Sequence, residues 1–411
     1  MSGLQKNMVL GFALVLALQA SLNLALYFSE VHHGHFGGDF VGFWNAAQRV
    51  RQGDISAIYD PGKWQVFLSS GADGPIAWFL YPPFALFGLW PLGTMTYNEA
   101  ALAWSLAPLP LYFGLLYLLA RRSIRAQTAD VPANARAFFV LVFAAALPFL
   151  SANLFTGQTG AFVAVFLFGA AYFWNSRPVL AGICIGLLAI KPQMGLLLPF
   201  ALCAACNFRA ITSAAATIAV ACAASTAWLG AGIWTDYLNI TRLFGAFIGR
   251  GYDGIRQLAV GPYISLQAVG VPAILAGILQ ALITLTLLGA IIFVFGRWNV
   301  SRSERGRDDG RMDLRLGVLA TGILLATPYS LSYDTPLLML AVVPLLARIW
   351  CKGWTGMELA AFFLLVVLPF TQPLLFKSHI PFGLVAVSVS FWVLFQCYRH
   401  EPTKPLAALA S

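Results

Sequence analysis

Residues 8–28 read M-V-L-G-F-A-L-V-L-A-L-Q-A-S-L-N-L-A-L-Y-F, without a single charged side chain. A transmembrane helix needs about 20 consecutive apolar residues, so this stretch is long enough to cross a bilayer. Lys6 is the only charged residue before this stretch, and no small-residue signal-peptide cleavage site lies before Glu30. We therefore expect a retained first span, with the N-terminus in the cytoplasm.

The rest of the chain repeats this apolar character. Of its 411 residues, 59% are hydrophobic and only 10% are charged, whereas about a quarter of the residues of a soluble domain are charged. Further apolar stretches lie near 98–120, 137–152, 158–175, 178–190, 193–206, 210–230, 263–296, 314–330, 336–350, 357–373 and 380–397. The sequence thus predicts an all-α polytopic membrane protein, with residues 1–411 forming one integral membrane domain of about twelve transmembrane helices.

Segment 78–92 (W-F-L-Y-P-P-F-A-L-F-G-L-W-P-L) is apolar but short, and it carries Pro82, Pro83 and Pro91. Proline interrupts helices, so we expect a re-entrant or broken span there. If this segment does not cross, about two thirds of the 25 Lys and Arg fall on the cytoplasmic side, as the positive-inside rule requires. The excess of 25 Lys and Arg over 16 Asp and Glu is then explained by membrane topology. It does not imply that the protein binds nucleic acid.

Three loops between the spans are long enough to matter. Residues 30–77 and 231–262 form extracytoplasmic loops in this topology, and residues 297–313 form a basic cytoplasmic loop. Clustered Arg residues beside a span are typical of contacts with anionic membrane lipids. The six Cys lie in or beside apolar segments and show no metal-binding spacing. We expect no disulfide framework.

The first of these loops contains G-G-D-F-V-G-F-W-N-A-A-Q-R-V, beginning at Gly37. Its apolar residues share one helical face, which predicts an amphipathic helix on the outer membrane surface with its aromatic rings at headgroup depth. Asp39 stands at the start of this helix. Its carboxylate either caps the helix by accepting backbone N–H groups or acts as a general base at the mouth of a cavity.

Several ordered blocks resemble glycosyltransferase family 87. They are G-D-F-V-G-F-W-N-A-A from Gly38, I-Y-D at 58–60, Y-P-P-F at 81–84 with P-L at 91–92, N-L-F-T-G-Q at 153–158, I-K-P-Q at 190–193 and, in the second half, T-P-Y-S-L-S-Y-D at 327–334. The resemblance implies a GT-C-like fold, as in mycobacterial polyprenol-phosphate-mannose-dependent α-1,2-mannosyltransferases.

The resemblance also implies an activity and a base. The expected reaction moves a hexose, with mannose favoured by the family, from a polyprenyl phosphate sugar donor to a lipid or glycan acceptor. It would occur on the extracytoplasmic (periplasmic) side of the inner, or cell, membrane, with Asp39 as the matching base. One isolated carboxylate suits a single displacement, so we expect inversion at the anomeric carbon.

Basic residues on the cation-poor side are candidates for the donor phosphate. Lys191 lies between two apolar runs, where an ammonium is costly unless it meets an anion; alternatively it snorkels to the interface. Arg250 and Arg256 can hold phosphate with paired hydrogen bonds or can form surface ion pairs. His379 beside Lys377 is a weaker donor candidate.

Polar and aromatic residues in the matching blocks complete the expected site. Gln193, Tyr81 and Trp44 are expected to contact the donor. Asn153 and Gln158 can hydrogen-bond sugar hydroxyls, although each is also common in turns. Tyr333 and Asp334 complete the acceptor or sugar side; Asp334 either orients a sugar or caps the helix that continues through Pro336.

The chain has no D-x-D motif, which disfavours a metal-dependent transferase using nucleotide sugars. His32, His33 and His35 cluster after the first span, but adjacent histidines are poorly placed to bind one ion together. We therefore expect no metal and no cofactor. The alternative function is a transporter or flippase of a lipid-linked sugar, which twelve spans also suit.

Overall fold

The computed structural model describes residues 3–32, 39–60, 62, 78–128, 135–249, 256, 258–296, 310–376 and 380–401. Within these ranges the chain is helical and has no strand; one isolated β-bridge joins Ala259 and Leu331. Arg250 and His379 lie outside the described residues. So do residues 33–38, 61 and 63–77 of the predicted loop 30–77, and residues 297–309 of the predicted loop 297–313.

The α-helices follow one another along the chain. They are α1 (Gly3–His32), α2 (Phe40–Gln52), α3 (Leu86–Leu89), α4 (Tyr97–Leu106), α5 (Leu109–Gln127), α6 (Ala135–Thr156), α7 (Gly160–Phe173), α8 (Pro178–Leu187), α9 (Leu198–Ala204), α10 (Phe208–Leu229), α11 (Gly232–Gly249), α12 (Pro262–Ala268), α13 (Ala273–Gly296), α14 (Gly310–Ala326), α15 (Met339–Lys352), α16 (Gly356–Phe376) and α17 (Phe382–His400). Short 3-10 helices cover Ile55–Ala57, Pro83–Ala85, Trp90–Thr94, Leu188–Ile190, Pro192–Gly195 and Ser332–Leu338.

Six helical stretches in the described ranges are long and apolar enough to cross a membrane. They are Tyr97–Gln127, Ala135–Leu154, Phe208–Leu229, Ala273–Gly296, Ser332–Lys352 and Phe382–His400. Shorter apolar helices cover Val9–Ala25, Gly160–Phe173, Pro178–Ile190, Pro192–Ala204 and Gly356–Thr371. These helices confirm the all-α polytopic membrane class, and with α14 they account for every predicted apolar stretch.

Helix α14 is the most enclosed element, because every residue from Arg311 to Ala326 is buried. Its first turns carry charged groups that contact partners inside the protein. Arg122 of α5 donates to the Asp313 carboxylate over 2.9 Å, and the Arg315 guanidinium lies 5.3 Å from the centre of the Tyr398 ring. A buried charge requires such partners.

The structure corrects one predicted span. Stretch 263–296 is not a single helix, because α12 ends at Ala268 and α13 begins at Ala273. Gly270 adopts a positive φ of 90° between them, and Pro272 follows. A left-handed residue and a proline both end an α-helix, so the long apolar run folds as two pieces.

Helix α2 forms as predicted, but its apolar face is covered by protein. Phe40 is fully buried, and the Phe43 ring lies 4.9 Å from the Tyr81 ring and 5.5 Å from the Trp104 ring. The expectation that this helix face lies against the outer membrane surface was therefore wrong. The periodicity was read correctly, but an amphipathic pattern alone does not distinguish a membrane surface from a protein surface.

The protein surface that covers α2 is built from segment 78–104 and from α11. Segment 78–92 is broken into short helices by its prolines, as expected, instead of forming one continuous span. On α11, Ile233 and Ile240 join the same buried cluster. This second core is separate from the main helical core, and the candidate site lies where the two meet.

Candidate active site

Asp39 stands immediately before α2, but its side chain does not cap the helix. Its backbone N–H donates to the Thr156 carbonyl over 3.1 Å, and its carboxylate accepts a hydrogen bond from the side-chain amide of Gln158. The capping interpretation is therefore not supported. The carboxylate is directed toward the turn between α6 and α7, more than a hundred residues away in sequence.

The surroundings of Asp39 raise its proton affinity. Burial raises the pKa of this carboxyl above its usual value, and this effect outweighs the Gln158 hydrogen bond and the Lys191 charge, which both lower it. Desolvation disfavours the charged form of an acid. A carboxylate with raised proton affinity is suited to accept a proton from a hydroxyl group.

Gln158 is itself held by hydroxyl groups. The Tyr81 hydroxyl lies 2.7 Å from the Gln158 side-chain oxygen and 2.8 Å from the Thr159 hydroxyl. Burial raises the pKa of Tyr81 well above its usual value, so the phenol stays protonated and can donate. The Tyr81 carbonyl in turn accepts the Tyr59 hydroxyl over 2.7 Å. The sequence had indicated Tyr81 and Gln158, but not Thr159 or Tyr59.

Two glycines allow the α6–α7 turn to approach its neighbours. Gly157 has a φ of 63°, and a Cβ at this position would lie 2.5 Å from the Cβ of Phe40. A Cβ on Gly160 would lie 1.7 Å from the Tyr333 carbonyl oxygen. The turn is thus packed against the start of α2 on one side and against the Ser332–Leu338 helix on the other.

Lys191 and Asp334 form a buried ion pair beside this turn. The ammonium donates to one oxygen of the Asp334 carboxylate, and the other oxygen accepts the Leu331 N–H over 3.1 Å. The side chains are 6% and 0% exposed, respectively, so Lys191 does not snorkel. Its ammonium also lies 4.7 Å from the centre of the Tyr333 ring. The anion that Lys191 requires is thus present in the protein, and Asp334 also caps its local helix.

Asn153 connects the two parts of the site. Its amide donates to the Gln158 carbonyl over 2.9 Å and lies 3.4 Å from the Tyr333 carbonyl. At Gln193 the backbone carbonyl accepts the Thr327 hydroxyl over 3.0 Å. These contacts hold the α6–α7 turn and the turn before α9 in place.

Two other predicted donor contacts can be located. The Trp44 indole N–H lies 3.3 Å from the Met95 carbonyl, and its ring packs edge-on to Tyr97, so its recorded contacts are not with Asp39 or Lys191. Arg256 precedes a short segment that hydrogen-bonds to the chain next to Asp334. Within it, the Val260 N–H donates to the Ser330 carbonyl over 3.0 Å.

The described part of the chain contains no group of three or more His, Cys, Asp or Glu side chains arranged to hold a metal ion. The side chains of His32, His33 and His35 lie outside the residues on which this statement rests.

The model of glycosyltransferase family 87 matches residues 79–328, which is more than half of the chain. The chain belongs to this family. It is therefore a membrane glycosyltransferase, as the sequence blocks had implied. No curated protein and no solved structure was found to match it. Within the family match lie Tyr81, Asn153, Gln158 and Lys191, whereas Asp39 and Asp334 lie outside it.

Proposed function

We propose that this family 87 glycosyltransferase moves a hexose, with mannose the first choice, from a polyprenyl phosphate sugar to a lipid or glycan acceptor on the extracytoplasmic face. One observation carries the proposal: Asp39 is a half-buried carboxylate with no capping role and a raised pKa. Such a group at the meeting point of two cores is suited to general-base catalysis.

In the proposed reaction the acceptor oxygen attacks the anomeric carbon while its proton passes to Asp39. The bond from the anomeric carbon to the phosphate oxygen breaks, and polyprenyl phosphate leaves with the electron pair. A sugar hydroxyl is a weak nucleophile that gains from a positioned base, whereas a phosphate ester is already a good leaving group. A β-linked donor would then give an α-linked product.

The leaving phosphate needs cationic partners, and we assign Lys191 to it. An ammonium has three N–H donors, of which one is directed at Asp334 in the described structure. Because one lysine is already neutralised by a carboxylate, a second cation is needed. We assign Arg256 to this role, because the segment that follows it hydrogen-bonds to the chain next to Asp334. Arg250 and His379 complete this donor set as sequence-based proposals.

The test is transfer of labelled mannose by the purified protein in detergent. We expect product with a polyprenyl phosphate mannose donor and a membrane extract as acceptor, and none with a nucleotide-linked mannose. Transfer from the nucleotide sugar alone would contradict the proposed donor. A protein that moves the lipid-linked sugar across sealed vesicles without forming a new glycosidic bond would instead be a flippase.

The configuration of the product tests the single displacement. NMR of the purified product should show an α-linkage from a β-linked donor. Retention of configuration, or a glycosyl group trapped on the protein, would require a second nucleophilic carboxylate and would overturn the mechanism.

A further inference from the structure

The amide of Gln158 has two oxygen partners with different requirements. On one side lies the Asp39 carboxylate, which can only accept when it is ionised; on the other lies the Tyr81 hydroxyl, 2.7 Å from the amide oxygen. Ionised carboxylates are acceptors only, whereas an amide offers a carbonyl oxygen and two N–H groups. Both hydrogen bonds form when the NH2 group of Gln158 faces Asp39 and its side-chain oxygen faces Tyr81.

Tyr81 stabilises this orientation because it donates its single proton to the Gln158 side-chain oxygen. The Thr159 hydroxyl is 2.8 Å from the Tyr81 oxygen and can donate to it, which leaves the Tyr81 proton for the Gln158 oxygen. A reversed amide would present its oxygen to the carboxylate. The hydrogen bonds therefore run in one direction, from Thr159 through Tyr81 and Gln158 to Asp39.

We propose that Gln158 is a positioning residue that sets the direction and proton affinity of the Asp39 base, and that Tyr81 and Thr159 lock its amide in the required orientation. This inference rests on the proposed function, because it assumes that Asp39 is the base. It replaces sugar binding as the role of Gln158 and donor binding as the role of Tyr81.

Other charged groups near Asp39 must be considered in any pH experiment. Among the described residues, Lys191 lowers the pKa of Asp39 through its charge, and Asp334 neutralises Lys191 at short range. Tyr81 and Tyr333 are partly buried tyrosines beside the carboxylates. Among the described residues, Gln158 donates a side-chain hydrogen bond to Asp39, and an amide does not titrate. Changing Gln158 therefore alters the base without removing a charge.

The test is the pH dependence of kcat/KM for the Gln158→Leu variant. Without the amide donor the ionised form of Asp39 loses stabilisation. The acid limb of the pH profile of kcat/KM should therefore move up by about one pH unit. kcat should fall more than KM rises. Gln158→Glu should move the limb further, because two neighbouring carboxyls share one proton. Tyr81→Phe should move it in the same direction by a smaller amount.

A matched control is available in α2. Gln48 donates its side-chain amide to the Gly93 carbonyl over 3.1 Å, in the same layer of the protein but away from Asp39. Gln48→Leu removes a comparable hydrogen bond and should leave the acid limb unchanged. Infrared titration gives a readout independent of turnover, since the band of a protonated carboxyl that disappears in Asp39→Asn should titrate at higher pH in Gln158→Leu.

The outcomes separate the two proposals. If Asp39→Asn is inactive while Gln158→Leu keeps the wild-type limb and only raises KM for a substrate, Gln158 binds sugar and the positioning role is overturned. If Asp39→Asn is fully active, the proposed base fails, and the infrared titration still decides whether Gln158 tunes Asp39. If Gln158→Leu does not fold, Gln158→Glu and Tyr81→Phe decide the result, and an unmoved limb in both contradicts the inference.

Discussion

Glu401, near the start of α14, and Asp39, beyond its other end, have different kinds of partners. The helix has 17 residues, so its ends are about 25 Å apart. Near its start, Asp313 is bound by Arg122, and the neighbouring Glu358 and Glu401 are bound by Arg348. Beyond its other end lies the candidate site, where Asp39 is held by a neutral amide.

The pKa values of Glu401 and Asp39 follow from their partners. Burial alone would raise the pKa of Glu401, but Lys352 and Arg348 outweigh it, and the pKa lies below the usual value. At Asp39 burial dominates, because one amide and the charge of Lys191 do not compensate for it. Glu401, paired with two cations, helps to hold helices together. Asp39, paired with an amide, keeps the proton affinity that a base requires.

The largest expected effect is on turnover at the Asp39 end. Asp39→Asn should lower the transfer rate by on the order of a hundredfold or more, because an amide cannot accept the acceptor's proton. Since the side chain caps no helix, both Asp39→Asn and Asp39→Ala should melt close to wild type. Initial rates and thermal melting in the same detergent measure both quantities.

Asp54 provides the control for this prediction. It lies in the same loop region and is paired with Arg49 at 2.6 Å, so Asp54→Asn should retain activity. A fully active Asp39→Asn variant would show that Asp39 is not the base, and the carboxylates at the two ends of α14 would then not differ in function as proposed. The remaining candidates for the base would be Asp54, Asp60 and Asp334.

The second effect separates the structural and donor-binding roles of Lys191. Lys191→Met leaves the buried Asp334 carboxylate unpaired and should cost about 3–5 kcal/mol of stability. Adding Asp334→Asn should recover most of that loss, because the uncompensated charge is removed. Denaturant unfolding and direct donor binding are measured on the single and double variants.

Donor binding is the deciding quantity for Lys191. If it contacts the phosphate, the double variant should be stable but still bind the donor weakly. Normal donor affinity in the stable double variant would make Lys191–Asp334 a purely structural pair, like Arg122–Asp313 at the other end of α14.

The third effect tests how the Asp39 end is assembled. Gly157→Ala introduces a Cβ at 2.5 Å from Phe40 in a residue with a φ of 63°, and should cost about 1–3 kcal/mol. Activity should fall as well, because the same turn binds the Asp39 backbone through Thr156. Gly289→Ala in α13, where a Cβ meets nothing within 4 Å, should be neutral or stabilising. Equal effects from both variants would contradict the packing argument.

The sequence was sufficient to predict the class of fold and several residues of this site, and physical reasons explain what it missed. Hydropathy predicts where apolar segments lie. It did not predict the break in 263–296, because the hydropathy averaged over many residues conceals a single Gly and a single Pro. Lys191 could be identified as a candidate because an ammonium between two apolar runs is costly. Asp39, Gln158 and Asp334 were candidates because they lie in the sequence blocks that resemble family 87.

Which candidates contact one another could not be predicted. The bond between Asp39 and Gln158 spans 119 positions and the pair of Lys191 with Asp334 spans 143, and no periodicity encodes such distances. Thr159 was overlooked because a lone Thr in a turn carries no signal. Trp44 was assigned to the donor by its sequence block, whereas its recorded contacts are within the layer that holds α2.

The smallest effect is on the pH dependence of stability, and it should have opposite signs at the two ends. The lowered pKa of Glu401 contributes stability above the usual value for Glu, and this contribution is lost as the pH falls through the lowered pKa. The stability of wild type should therefore exceed that of Glu401→Gln by less than about 1 kcal/mol near neutral pH, and the difference should shrink in acid.

The raised pKa of Asp39 acts in reverse, because stability present below the usual value for Asp is lost as the pH rises through the raised pKa. Asp39→Asn should accordingly gain on wild type with rising pH. Melting temperatures of the three proteins across the acid to neutral range measure both trends, and parallel trends would mean that the carboxylates at the two ends do not differ in the way proposed.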